Sequence, residues 1–379
     1  MTNYIAATNW CWGCLFNESW TPSGSISVED NNLNRTDPLQ GIKVVITSGL
    51  RFITTHTDHH GKFSSPLSFA AKVHYNVHFV SKGSITYVYP GTFTWDQFRI
   101  VRGSMFTATD QLNTNATRSS ISHVYRPRSH NWMDAMVYKA ARDYYNHLDA
   151  LAYPQYGTVI RTRLDAEGIS CALGAAEWID QTGLPGSYLG FHDLVIRGRR
   201  ENGNMLAFED LYAITIHELA HITHIRNGWG DLKITLTTRS LRESYAKLIE
   251  WHFTRKRYHG RSTRASFGRY QEPLMYRDVD FRANFLDQTP NWLYTGFFID
   301  LVDNFNQQAL LSNPSALNEA FVGLSVKACE EAILGKSGVW SKALDLTSAR
   351  DRIKEIRPSS EHAEIDRIHK WWQDRVDKL

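Results

Sequence analysis

Hydrophobic and polar residues alternate with a period of two along several short segments between residues 20 and 108. The segments are 24–28, 38–46, 73–80 and 84–88. Such alternation is typical of β-strands that bury one face, and turn-forming residues, such as those of 58–61, separate the segments. The pattern predicts a small all-β antiparallel sandwich.

The pattern becomes helical after residue 125, where apolar residues recur every three or four positions. The predicted helices cover 131–148, 206–226, 241–253, 293–305, 315–335, 345–356 and 360–377. One short strand is predicted at 194–196, either at the edge of a sheet or in a core. Together these elements predict a helix-dominated α+β domain with a small sheet.

A segment rich in threonine, asparagine and serine, at 110–122, is predicted to connect the two parts. The expected regions are an N-terminal segment (1–19), the sandwich (20–108), a linker (109–124) and the helix-dominated domain (125–379). A chain of 379 residues is long enough for two domains, each with its own core.

The helix predicted at 206–226 carries the motif H-E-x-x-H, formed by His217, Glu218 and His221. Two histidines four residues apart lie on one face of a helix, so their imidazoles can hold one zinc ion. The carboxylate of Glu218 can then take a proton from water on the open side of the ion. The motif predicts a catalytic zinc site with Glu218 as the general base.

A catalytic zinc site usually has a third protein ligand, and the next predicted helix, 241–253, can supply it. Glu243 is the predicted ligand. Glu250 lies two turns further along the same face and either binds the ion or supports a ligand from behind. His224 lies about 10 Å along the helix axis from His217, too far to share one ion, so it either supports a ligand or is exposed.

H-E-x-x-H followed by a glutamate on the next helix resembles the gluzincin metallopeptidases. The run from Glu243 to Ala246, with Glu250, is similar to the E-G-F-A-x-x-x-E segment of the aminopeptidase branch. The resemblance implies a zincin-like domain in which His217, His221 and Glu243 hold Zn²⁺. The branch's G-x-M-E-N motif, which helps bind a free amino terminus, is absent, so aminopeptidase specificity is not implied.

The expected function is therefore hydrolysis of a peptide or protein substrate. Tyr294 and His252 are weak candidates for the donor that stabilises the oxyanion, a role that stays unassigned. One alternative is a non-catalytic surface binding module with a zinc-stabilised core, although such a module has no need of Glu218. Another is zinc-dependent hydrolysis of a non-peptide substrate, because the metal chemistry is shared.

The order P-L-x-G-I-x-V at 38–44, then T-x-T-D-x-x-G-x-F at 55–63, resembles the carboxypeptidase regulatory-like (transthyretin-like) domain. The resemblance implies a structural domain of a kind found mainly in secreted and surface proteins. No secretion signal opens the chain, so the protein is cytosolic or a leader has been removed; the resemblance favours export. Cys11 and Cys14 then form either a small disulfide loop or two reduced thiols.

The charge balance indicates neither a nucleic-acid nor a membrane partner. A net charge of +3 is too small to indicate a nucleic-acid or membrane-surface partner. No apolar run reaches the length of a membrane span.

Overall fold

A computed structural model describes much of the chain. The described residues are 19–82, 86–90, 110–113, 120–129, 131–146, 158–163, 171–172, 194–199, 203–227, 237–258, 274–275, 292–303, 317, 323–335 and 343–376. The predicted loop at Cys11 and Cys14 lies outside them.

The described residues form a mixed α+β fold. Its strands are β1 (Ser23–Asp30), β2 (Arg35–Pro38), β3 (Ile42–Ser48), β4 (Arg51–His56), β5 (Lys62–Ser64), β6 (His74–Ser81), β7 (Thr86–Pro90), β8 (Asp110–Asn113), β9 (Ile121–Tyr125), β10 (Thr158–Arg163), β11 (Cys171–Ala172), β12 (Leu194–Arg197), β13 (Leu274–Met275) and β14 (Trp292–Tyr294). Its helices are α1 (Trp132–Tyr145), α2 (Phe208–Asn227), α3 (Arg239–Tyr258), α4 (Phe297–Val302), α5 (Val326–Leu334), α6 (Leu346–Ile356) and α7 (Ser359–Val376). The predicted combination of an antiparallel β region with helices is confirmed at this level.

Two sheets organise the N-terminal strands. One has the order β2-β1-β5, with β9 parallel to β1 on this sheet. The other contains the antiparallel neighbours β4, β3 and β6, in which Val44 lies opposite Thr55 on one side and Val77 on the other. The alternation read from the sequence is visible in β1, where Ile26 and Val28 are fully buried and the residue between them is not.

The second sheet continues past the predicted linker. Its order is β11-β12-β10-β7-β6-β3-β4, with β8 paired to β6. The pairings of β7 with β10 and of β10 with β12 are parallel, with Ile160 opposite both Val88 and Leu194. Parallel neighbours need a crossover connection, and α1 lies in the chain between β7 and β10. One hydrogen-bonded sheet thus takes strands from both of the regions that the sequence separates.

The segment predicted as a linker, 109–124, contributes to both sheets. It contains β8 and most of β9. Threonine and other small polar residues suit exposed strand positions as well as loops, and β9 also contains the β-branched and aromatic residues Ile121, Val124 and Tyr125, which are common in strands.

β12 lies inside the sheet along part of its length. Leu194 and Val195 pair with β10 on one side and with β11 on the other. Of the two positions open for this strand, a sheet edge and a core, these residues occupy the core, and both side chains are buried. β12 also packs against α2, so the sheet supports the helix that carries the H-E-x-x-H motif.

A buried arginine ties α3 to the N-terminal strands and to α1. The Arg257 guanidinium donates to Asp30 at 2.8 Å and to Asp37, and lies 3.5 Å from the Asp143 carboxylate. The Arg257 side chain is 6% exposed and that of Asp30 is fully buried. These charges face one another rather than solvent, so each depends on the others for its stability in the interior.

None of the described helices is both long enough and apolar enough to cross a membrane.

Candidate metal centre

Two helices bring the predicted ligands together. His217 and His221 lie one turn apart on α2, and Glu243 lies in the first turns of α3, which packs against α2. The two histidine Nε2 atoms are 3.1 Å apart. The Glu243 Oε2 atom lies 3.2 Å from Nε2 of His217 and 3.4 Å from Nε2 of His221.

These three distances fit a face of a tetrahedral zinc site. Zinc binds histidine nitrogen and carboxylate oxygen at about 2.0–2.2 Å, which places the ligand atoms of a tetrahedron about 3.3–3.5 Å from one another. The observed triangle has edges of 3.1, 3.2 and 3.4 Å. Within the described part of the chain, His217, His221 and Glu243 form the group of metal-binding side chains that lie close enough together to hold one ion.

The packing of α2 against α3 forms this arrangement. On α2, Ile216 and Leu219 are fully buried, whereas His217 and His221 are directed toward Glu243 of α3 and remain partly exposed. The side chains of His217, His221 and Glu243 keep 16%, 14% and 21% of their surface exposed. A small ion and a water molecule can therefore reach the three ligand atoms.

Glu250 contacts the far side of His217, one of the predicted ligands. Its Oε2 atom lies 3.1 Å from Nδ1 of His217, the ring nitrogen that does not belong to the triangle. Of its two predicted roles, this contact matches support from behind. A carboxylate on the other ring nitrogen orients a metal-binding imidazole and makes it a stronger ligand.

Glu218, the predicted general base, stands next to His217 in α2 and is 7% exposed. It thus places a carboxylate of low exposure in the same turn of helix as the two histidines. Its place directly after the first histidine of the motif is the one expected of a base that acts on metal-bound water.

His224 does not join the ligand atoms. It is 5% exposed, and its ring packs edge-to-face against Tyr245 of α3 with the centroids 5.4 Å apart. The exposed alternative for His224 is wrong, because α3 covers this part of α2. Tyr245 is itself fixed by a 2.6 Å hydrogen bond to Glu330.

The two oxyanion candidates differ in their contacts. The Tyr294 ring lies 4.9 Å from the Lys247 ammonium, which itself donates to Glu250 at 2.9 Å. The ring of His252 packs against that of Phe253. Sequence reasoning missed Lys247, although its position three residues before Glu250 on a helix is the spacing of an ion pair.

Compared with known proteins, the chain matches no family model, no curated protein and no solved structure.

Before zinc binds, His217 is expected to carry a proton on both ring nitrogens. Burial lowers the pKa of His217, but hydrogen bonds to Glu243 and Glu250 and their charges outweigh this and raise the pKa to about 10. Burial also raises the pKa of Glu243, yet the charges and hydrogen bonds of His221 and His217 hold it well below its usual range. At neutral pH the metal-free His217 is therefore protonated beside an ionised Glu243.

Zinc binding is expected to displace that proton, because a metal-ligating histidine must be neutral. Below a pKa of about 10, each rise of one pH unit should tighten the apparent zinc affinity about tenfold. Competition with a chelator between pH 6 and pH 10.5 measures this slope. In Glu250→Gln, which removes one charge that raises the pKa of His217, the zinc affinity should level off at a lower pH. A plateau at the same pH in both proteins would contradict the assignment.

Proposed function

We propose that this chain is a zinc-dependent peptidase of the gluzincin type. The observation that carries the proposal is the triangle of ligand atoms from His217, His221 and Glu243, with edges close to those of a tetrahedral site. Glu218, in the same turn of α2, supplies the carboxylate that such hydrolysis needs.

The ligand set favours catalysis over a structural role. Structural zinc sites are closed by four protein ligands, whereas catalytic sites use three and keep one position for water. The described residues offer three ligands, all partly exposed. Retention of Glu218 also argues against a non-catalytic binding module, because a structural ion has no use for a base.

In the proposed hydrolysis, Glu218 and Glu250 have separate roles beside the metal ligands. When bound, zinc lowers the pKa of a coordinated water and polarises the substrate carbonyl. Glu218 would take the proton from the attacking water and pass it to the leaving amine when the peptide bond breaks. Glu250 accepts from Nδ1 of His217, which would leave that ring's Nε2 available to hold the ion.

The finer architecture belongs to the same proposal. We infer a carboxypeptidase regulatory-like unit at 20–108 and a zincin-like unit at 125–379, joined through the continuous sheet. The antiparallel strands β3, β4 and β6 support the first, and the packed pair α2 and α3 supports the second. A peptide or protein substrate and an exported location follow from this proposal.

Removal and return of the metal test the function. Chelator-treated protein is expected to lose hydrolysis of a fluorogenic peptide pool, and one equivalent of zinc should restore it, while magnesium, which prefers oxygen ligands, should not. Hydrolysis that survives complete zinc removal would refute the proposal. Zinc-dependent cleavage of ester substrates alone would favour the non-peptide alternative.

A further inference from the structure

Lys247 is a buried cation beside the candidate metal centre. It lies on α3, one turn after Glu243 and one turn before Glu250, and it is 7% exposed. Lysine is rarely buried to this extent unless its ammonium group has partners. The contacts of Lys247 therefore indicate what it does.

The Lys247 ammonium group contacts Glu250, the carboxylate that supports the proposed ligand His217. Nζ of Lys247 donates to Oε2 of Glu250 at 2.9 Å, and that same oxygen lies 3.1 Å from Nδ1 of His217. The ammonium also lies 4.9 Å from the centre of the Tyr294 ring. An aromatic face attracts a cation, so Tyr294 helps to fix the position of Nζ.

We propose that Lys247 is a positioning residue for the metal centre. It holds the Glu250 carboxylate in the one orientation that accepts a hydrogen bond from Nδ1 of His217. The proton then stays on Nδ1, and the lone pair of Nε2 remains directed at the ion.

Without Lys247, the Glu250 carboxylate would be held less firmly in this orientation. Its side chain is 2% exposed, and a buried carboxylate without a cation beside it is strongly unfavourable. Lys247 supplies that charge at hydrogen-bond distance and can only donate, so the carboxylate oxygen between Lys247 and His217 can only accept. The relay runs from Lys247 through Glu250 to His217.

The inference rests on the metal site of the proposed function and not on peptide hydrolysis. Its test therefore uses the metal alone. Zinc affinity is measured by competition with a chromogenic chelator, and the absorption spectrum of the Co²⁺-loaded protein reports the ligand geometry.

Lys247→Met is expected to weaken zinc binding by about 10-fold, the low end of the loss seen when a direct partner of a metal ligand is removed, because Lys247 acts through Glu250, and to alter the cobalt spectrum. Lys247→Arg keeps the positive charge and a donor, so it should bind zinc more tightly than Lys247→Met. Lys256→Met, at an exposed position of the same helix, is the matched control and should change neither readout.

A double-substitution cycle separates positioning from general stability. In a Glu250→Gln background, Lys247→Met should have little further effect on zinc affinity, because the relay is already broken. Three results would overturn the inference. Lys247→Met could keep full zinc affinity, it could lose the same amount in both backgrounds, or the original protein could fail to bind zinc. Zinc binding that depends on Lys247, without cleavage of any peptide, would uphold it and count against the peptidase proposal alone.

Discussion

Replacing Arg257 by alanine is expected to lower the free energy of unfolding by about 3–5 kcal/mol. The guanidinium contacts carboxylates of Asp30, Asp37 and Asp143, and it is 6% exposed. Its removal leaves buried negative charges facing one another, which costs far more than the loss of a surface ion pair. Denaturant unfolding followed by circular dichroism measures the change.

The neighbouring Lys256→Ala is the control for Arg257→Ala. Lys256 is exposed on the same helix, so its removal should change the free energy of unfolding by less than about 0.5 kcal/mol. A similar, small effect for both substitutions would show that the Arg257 cluster does not join α3 to the N-terminal strands in the way described above.

Replacing His221 by alanine is expected to weaken zinc binding by well over 100-fold, because loss of a direct ligand costs more than the roughly 10- to 100-fold lost with a supporting group. Nε2 of His221 lies 3.1 Å from that of His217 and 3.4 Å from Oε2 of Glu243, so its loss opens one corner of the triangle. Competition with a chelator of known affinity measures the effect.

His224→Gln is the matched control on the same helix. His224 packs against Tyr245 and lies outside the group of ligand atoms, so this substitution should leave zinc affinity within about 3-fold while it lowers thermal stability. If His224→Gln lost zinc and His221→Ala kept it, the ligand assignment would be wrong.

The ligand triangle could be predicted because most of it depends on local geometry. The four-residue interval between His217 and His221 places both rings on one helix face wherever the helix lies in the fold. The prediction of Glu243 also required the assumption that a second helix packs against the first. The structure brings its carboxylate to the two histidines, 3.2 and 3.4 Å from their Nε2 atoms.

Features that depend on distant pairing could not be predicted in the same way. Asp30 and Arg257 are separated by 227 residues, and nothing in either segment identifies the other. The parallel pairing of β7 with β10 likewise depends on a crossover that alternation does not reveal. The burial of His224 depends on where α3 crosses α2. The role of Lys247 depends on the contact between Glu250 and His217, which joins two helices.

Digestion of a diverse peptide library, followed by mass spectrometry, tests the central claim most directly. Zinc-loaded protein is compared with its Glu218→Gln variant, which keeps the size of the side chain and removes the base. The account predicts cleavage by the original protein and a loss of about 10²- to 10⁴-fold in the variant, which should still bind one zinc ion. Equal cleavage by both zinc-loaded proteins, or no cleavage of any peptide by either, would contradict it.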